Sequence, residues 1–339
     1  MKLKRGIFHF KTPICVSGFA AVAGQKESKG PLKDDVDVFL KGRFFGEKSF
    51  EKAESKMQQI AVIKAMQKAN LTADEIDAIF AGDLLNQCIG TNYGLRELEI
   101  PFVGLYGACS TMAESILVAS TFIETGLVKK TISVTSSHFC AAERQFRFPL
   151  EYGGQRKRTA QWTATAAGAV LLESGNKKKI YVKSGCLGKI IDFGVKDISN
   201  MGAAMAPAAS DTIIRFLEET KTTCNDYDLI LTGDLGRVGS DLLYELLDQK
   251  GVNIRAKHKD CGLLIYDRND KDINSGGSGA GCSALVFCAN ILKQLEEGIL
   301  KKVLFVATGA LMSKRSNQQG ESIPAVAHLI YLKGEEKWN

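Results

Sequence analysis

At 339 residues, 45% hydrophobic and 24% charged, the chain has the make-up of a globular protein, long enough for two domains or one large double one. A net charge of +6, with Lys and Arg spread along the chain, forms no basic stripe and argues against a nucleic-acid partner. Nine cysteines, an odd number without a C-x-x-C pair, argue against a disulfide framework or a zinc site and for a reducing setting.

Met1 to Gly6 has a signal-peptide flavour, but His9, Lys11 and Pro13 break the apolar segment that would have to follow, so none is expected. No apolar run reaches the length of a membrane-spanning helix. Ile14 to Ser17 reads as a first strand, followed by a Gly-rich, charged loop through Gly46. Helical periodicity runs from about Phe50 to Lys68, Thr72-Ala-Asp-Glu75 is a capping box, and Asp77 to Gly82 is a strand. Pro101 to Tyr106 is short, apolar and has the character of a buried strand. Gly107 and Ala108 remove bulk where the chain turns, and a helix follows with Met112, Ile116, Ala119 and Ile123 on one face and Gly126 at its end. Cys109 therefore sits where strand meets helix, beside unpaired backbone N–H groups that suit a thiolate or an anion. The plain alternative is a small buried hydrophobe. Val128 to Ser136 is a strand, residues 137–161 a long polar connection, and Gly168 to Glu173 a strand. Gly175-Asn176 and the three lysines after it, expected to be a solvated loop, divide the chain into halves at 1–175 and 176–339.

The halves repeat. Glu75 to Asp83 recurs as Asp226 to Asp234, Gly107-Ala-Cys-Ser110 as Ala280-Gly-Cys-Ser283, and Gly126 to Val134 as Gly298 to Val306. Three blocks in one order, with one insertion between Asp234 and Cys282, mark a duplicated α/β unit. Alternating strands and helices imply largely parallel sheets covered on both faces. Two such halves packed face to face would bury the Cys109 helix and the Ser283 to Glu297 helix between two sheets, which explains why both are apolar nearly all round. Asp83 and Asp234, at one place in both copies, are expected to be structural.

A duplicated half with a cysteine at its strand-to-helix junction resembles the thiolase and ketoacyl-synthase superfamily. Ala81-Gly-Asp-Leu-Leu-Asn-Gln87, Gly107-Ala-Cys-Ser-Thr111, Thr135-Ser-Ser-His138, Ala142-Glu-Arg-Gln-Phe-Arg147, Glu151-Tyr-Gly-Gly154, Met205-Ala-Pro-Ala-Ala209, His258-Lys-Asp-Cys-Gly262, Gly276-Gly-Ser-Gly279 and Ala307-Thr-Gly-Ala-Leu311 together resemble one branch, the stage V sporulation protein AD family. That resemblance implies a thiolase-like fold, two α/β halves packed as a five-layer αβαβα sandwich. It also implies binding of dipicolinic acid (pyridine-2,6-dicarboxylate), alone or as its calcium chelate, and its movement into the developing spore. The protein would work at the inner membrane of that spore, on the cytoplasmic side, held by membrane proteins of the same operon. A homodimer is expected from the superfamily.

A condensing enzyme needs histidine or asparagine partners for its cysteine. In the superfamily these come from two turns of the second half, which here read Thr232-Gly233-Asp234 and Gly276-Gly-Ser-Gly279. Neither offers an imidazole, and Asn274 falls before the turn rather than in it. The expectation is therefore a binding site rather than an enzyme, with an acyl-transfer or condensing enzyme using Cys109 as the alternative, and a scaffold with an empty pocket as a third reading. A flat dianion calls for N–H donors, cations and an apolar slot. Candidate ligands are Cys109 and Ser110 at the helix start, Ser136, Ser137 and His138 at a strand end, Arg144 and Arg147 as carboxylate clamps, and His328 in the last strand. Local hydrogen bonds or ion pairs are the alternative role for each His and Arg. No cofactor is implied, and without a calcium loop no metal site made by protein alone is predicted.

Overall fold

The computed structural model describes residues 6–146, 156–176, 179–334 and 338. Each half is built from the same local devices. The helix Phe50–Ala69 ends on Asn70 at φ 56°, and Met201–Thr220 ends on Lys221 at φ 54°, both left-handed caps. Thr72 and Glu75 form a capping box before one strand, Thr223 and Asp226 before its counterpart. Asp77 then accepts from the amides of Lys129 and Lys130 at 2.6 and 2.9 Å, and Asp228 from those of Lys301 and Lys302 at 2.8 and 2.9 Å. Each carboxylate ties the start of its strand to the start of the neighbouring one.

The strands follow one order in both halves. From one edge they run Phe102–Gly104, Ala78–Gly82, Lys130–Ser137, Ala166–Ser174 and Ile14–Ala23; then Ile180–Cys186, Ala325–Gly334, Lys302–Ala310, Leu229–Thr232 and His258–Asp260. The second five mirror the first, and the two sets join where Cys15 lies beside Tyr181. Alternation across each strand fills three layers of core. Ala78 and Phe80 point to the central layer with Val303, Phe305 and Ala307, while Ile79 and Ala81 face the Phe50–Ala69 helix and Leu304 and Val306 face the Met201–Thr220 helix. The central layer holds two helical segments. Thr111–Glu124 buries Met112, Ile116, Ala119 and Ile123 as the periodicity predicts, and Ala280–Val286 continues through a π-helical turn at Phe287–Ile291 into Leu292–Glu296. These are the five layers, helix, sheet, helix, sheet, helix.

Four expectations change in detail. The first strand continues to Ala23. The connection after Ser137 contains the helix Phe139–Phe146. The helix expected over Ser283 to Glu297 begins at Ala280 and is broken by its π-helical turn. Phe102–Gly104 is exposed rather than buried, because among the described residues it is an edge strand paired only to Ala78–Gly82. An apolar composition cannot distinguish an edge from a centre.

The halves meet closely at Gly309, where a Cβ would stand 2.1 Å from the carbonyl oxygen of Gly107 and 3.1 Å from the Ser110 nitrogen. Gly309→Ala should therefore push the Cys109 turn away and cost about 1–3 kcal/mol, as overpacked cores do. Denaturant unfolding checks this, and an unchanged midpoint would contradict the contact.

Candidate functional site

The Cys109 turn is fixed by short polar bonds within itself. Ala108 sits at φ 52°, a conformation that L-residues adopt at a cost. Ser110 Oγ donates to the Gly107 carbonyl at 2.6 Å, and Thr111 Oγ1 donates to the Ala108 carbonyl at 2.7 Å while accepting from the Gly107 amide at 3.2 Å. Cys109 is thereby held, buried, at the start of the Thr111–Glu124 helix.

The second half brings a carboxylate to it. Asp234, at the end of the Leu229–Thr232 strand, is fully buried and receives a hydrogen bond from the Cys109 thiol. It also accepts from the Gly279 amide at 2.9 Å, from Ser278 Oγ at 3.1 Å and from Thr308 Oγ1 at 3.0 Å. Burial pushes Asp234 up to about 6 despite these donors. Gln161 Nε2 donates to the Asp234 carbonyl at 2.6 Å and to the Gly277 carbonyl at 2.9 Å, fixing the two turns to each other. Burial also lifts Asp260 and Glu114, each to about 7. Asp260 caps the next helix through the Leu235 and Gly236 amides; Glu114 lies one turn along from Cys109. The two repeat aspartates thus differ. Among the described residues Asp83 accepts from Leu85 and Thr91 of its own half, whereas Asp234 reaches the cysteine.

Above Cys109 lies a narrow cleft of about 40 Å³, walled by Leu84, Tyr106, Ala142, Phe146, Met201 and Met312, with Ser278 and Thr163 as polar points. No cation and no imidazole lines it among the described residues. The space suits only about three waters.

Of the residues singled out from sequence, Cys109 and Ser110 lie together here. The other described ones are engaged elsewhere. Ser136 Oγ donates to Glu54 at 2.9 Å, and Ser137 Oγ donates to the Ala164 carbonyl at 2.7 Å and accepts from the Gly281 amide at 3.0 Å. His138 bonds the Arg43 carbonyl at 2.9 Å and lines a different cavity. Arg144 is exposed and pairs with Glu51. His328 Nδ1 accepts from the Gly188 amide at 3.2 Å, and burial drives its pKa down to about 4. Arg147 lies outside the described residues, as does Glu151 to Gly154. His258 is held between Thr232 Oγ1 and Tyr244 Oη, each at 2.8 Å. Sequence reasoning missed Asp234 as a neighbour of Cys109. The signal was present, since Thr232-Gly233-Asp234 occupies one of the two turns that should face the cysteine.

Comparison with known proteins fits this geometry. Residues 4–333 match the family model described as Stage V sporulation protein AD (SpoVAD). The chain is 47% identical over 324 residues to Stage V sporulation protein AD of Bacillus subtilis (strain 168), covering 96% of this chain and 95% of the relative. Among solved structures it resembles 3-oxoacyl-[acyl-carrier-protein] synthase III from Aquifex aeolicus VF5, with a TM-score of 0.58 and 13% identity over 94% of this chain and 99% of that one. An OleA variant from Xanthomonas campestris gives a TM-score of 0.61 at 12% identity, covering 96% and 99%. Likenesses this distant establish the thiolase-like fold alone. No helix among the described residues is long and apolar enough to cross a membrane. By the match along nearly its whole length, the chain belongs to the stage V sporulation protein AD family.

Proposed function

We propose that the chain is a non-enzymatic receptor for dipicolinate, seating it in the Cys109 cleft and passing it, with calcium, to membrane-embedded partners at the inner membrane of the developing spore. One observation carries the reading: Asp234 stands beside Cys109 where a condensing enzyme would place an imidazole. An imidazolium stabilises a thiolate, whereas a carboxylate opposes a second negative charge next to it. The Asp234 carboxylate, held by Gly279, Ser278 and Thr308, is positioned as a hydrogen-bond partner rather than as a base that moves between substrates. Family membership supplies the sporulation setting.

The same carboxylate sets a proton requirement. A dianion placed beside Asp234 raises that carboxyl further above about 6, so the complex holds a proton that the free protein has lost at higher pH. The affinity for free dipicolinate therefore falls as pH rises above 6, by up to about tenfold per unit. The neutral one-to-one calcium chelate needs no such proton, and its binding should vary little.

Calorimetric titration of dipicolinate at pH 6, 7 and 8, with and without calcium, checks this, and Asp234→Asn should flatten the curve for the free acid. Cys109→Ala should weaken binding of both forms several-fold. No heat and no thermal protection in the wild type would sink the receptor reading. Incubation with acyl-CoA followed by mass spectrometry should leave Cys109 unmodified; an acyl adduct there would establish a working acyltransferase instead.

A further inference from the structure

His258 and Asp260 stand two residues apart on the edge strand His258–Asp260, so both side chains lie on one side of it. They belong to the block His258-Lys-Asp-Cys-Gly262, which neither the Cys109 cleft nor the duplication accounts for. Thr232 is in register with Asp260 on the neighbouring strand, and its hydroxyl joins the two side chains. Tyr244 Oη and His258 Nδ1 are 2.8 Å apart, as are His258 Nε2 and Thr232 Oγ1, and Thr232 Oγ1 donates to Asp260 Oδ2 at 2.6 Å. Tyr244 is partly exposed, His258 is 9% exposed and Asp260 only 1%. A continuous line of hydrogen bonds therefore runs from the outer layer of the molecule to a buried carboxyl.

One hydroxyl fixes the order of protons along this line. While Asp260 is ionised, the single proton of Thr232 goes to Oδ2. Thr232 Oγ1 then accepts from His258, whose Nε2 carries the hydrogen and whose Nδ1 accepts from Tyr244. Reversing every link gives a second arrangement, in which Asp260 donates to Thr232, Thr232 to His258 Nε2, and His258 Nδ1–H to Tyr244. The heavy atoms keep their places and all three bonds survive. The two arrangements differ by one proton. Tyr244 takes it from water as it passes its own to Nδ1, Nε2 gives its hydrogen to Thr232, and Thr232 gives its own to Asp260. The ring changes tautomer without gaining charge, and burial, which pulls the His258 pKa down to about 4, keeps it neutral throughout.

The surroundings of Asp260 allow both states. The amides of Leu235 and Gly236, at 2.9 and 3.0 Å, favour the anion, while burial and the nearby charge of Asp234 favour the proton. Tyr244 of the helix Gly236–Asp248, Cys261 of the helix Cys261–Leu264 and Cys282 of the helix Ala280–Val286 also feel its charge. No Lys or Arg pairs with Asp260 among the described residues. At the outer end, Arg255 lies over the Tyr244 ring at 4.9 Å and is held by Asp248, and Asp241 sets a negative charge near the phenol.

We propose that Tyr244, His258 and Thr232 form a proton path that loads and unloads Asp260, giving the turn that carries Asp234 a proton store reached from the surface without passing through the Cys109 cleft. Asp260 holds the amides of the two residues that follow Asp234, so its charge lies against the turn that brings Asp234 to the cysteine.

Nitrogen-15 NMR of the full chain, labelled in its four histidines, reads the tautomer directly. As pH rises from 5 to 9, His258 should change from the Nδ1–H to the Nε2–H form with no imidazolium signal. Asp260→Asn should hold the ring in one tautomer at every pH. Thr232→Val, which removes the middle link and keeps the side-chain outline, should stop the ring from following Asp260. A single His258 tautomer across the range in the wild type overturns the proposal, and that measurement decides even where a variant fails to fold. A tautomer change that survives in either variant, or an imidazolium in place of the change, overturns it as well. Dipicolinate is absent from every sample, so the fate of the receptor reading leaves these outcomes untouched.

Discussion

Two helices, Thr111–Glu124 and the segment from Ala280 to Glu296, are buried on most of their surface, and the architecture follows from the need to cover them. Burying a Leu, Ile, Phe or Met side chain contributes about 1.5–3 kcal/mol, and the central layer gathers many of them, among them Met112, Ile116, Leu117, Phe287 and Phe305. Only two sheets, one on each side, can cover such helices all round. The stacked rings of Phe287 and Phe305, with centroids 4.4 Å apart, show how closely the second helix seats on its sheet. Cys109 owes its place to this packing, since the helix that presents it cannot shift without opening the core.

Duplication then explains both the likeness and the difference between the halves. The caps at Asn70 and Lys221, the capping boxes, and the Asp77 and Asp228 anchors are local devices, and each copy keeps them because each copy must still fold. The turns that face the centre are not under that demand twice over. Asp83 closes a turn within its own half, whereas Asp234 reaches across to the cysteine of the other half. One repeated position thus makes different contacts in the two halves, and the cleft above Cys109 is mostly apolar, without a cation among the described residues.

Much of this was legible in the sequence for a physical reason. The helix at Phe50, the helix after Cys109 and the duplication itself rest on periodicity and on repeated blocks, which survive in one dimension. The candidate ligands are a different matter. Ser136, Ser137 and His138 fall one after another at a strand end, yet alternation and the following turn send them to Glu54, the Ala164 carbonyl and the Arg43 carbonyl. His328 does lie in the last strand, but the amide that occupies its Nδ1 comes from Gly188, 140 residues away. The exposure of Phe102–Gly104 was hidden for the same reason: which strand ends a sheet depends on pairing, and composition does not record it.

That terminal strand has a consequence for how the molecule behaves in a crowded solution. Its outer row of amides and carbonyls has no strand partner among the described residues, and Phe102, Val103 and Tyr106 stand partly bare around it. Such a row invites another β-chain to zip alongside. Its three residues keep that row short, which limits how far any such pairing could run.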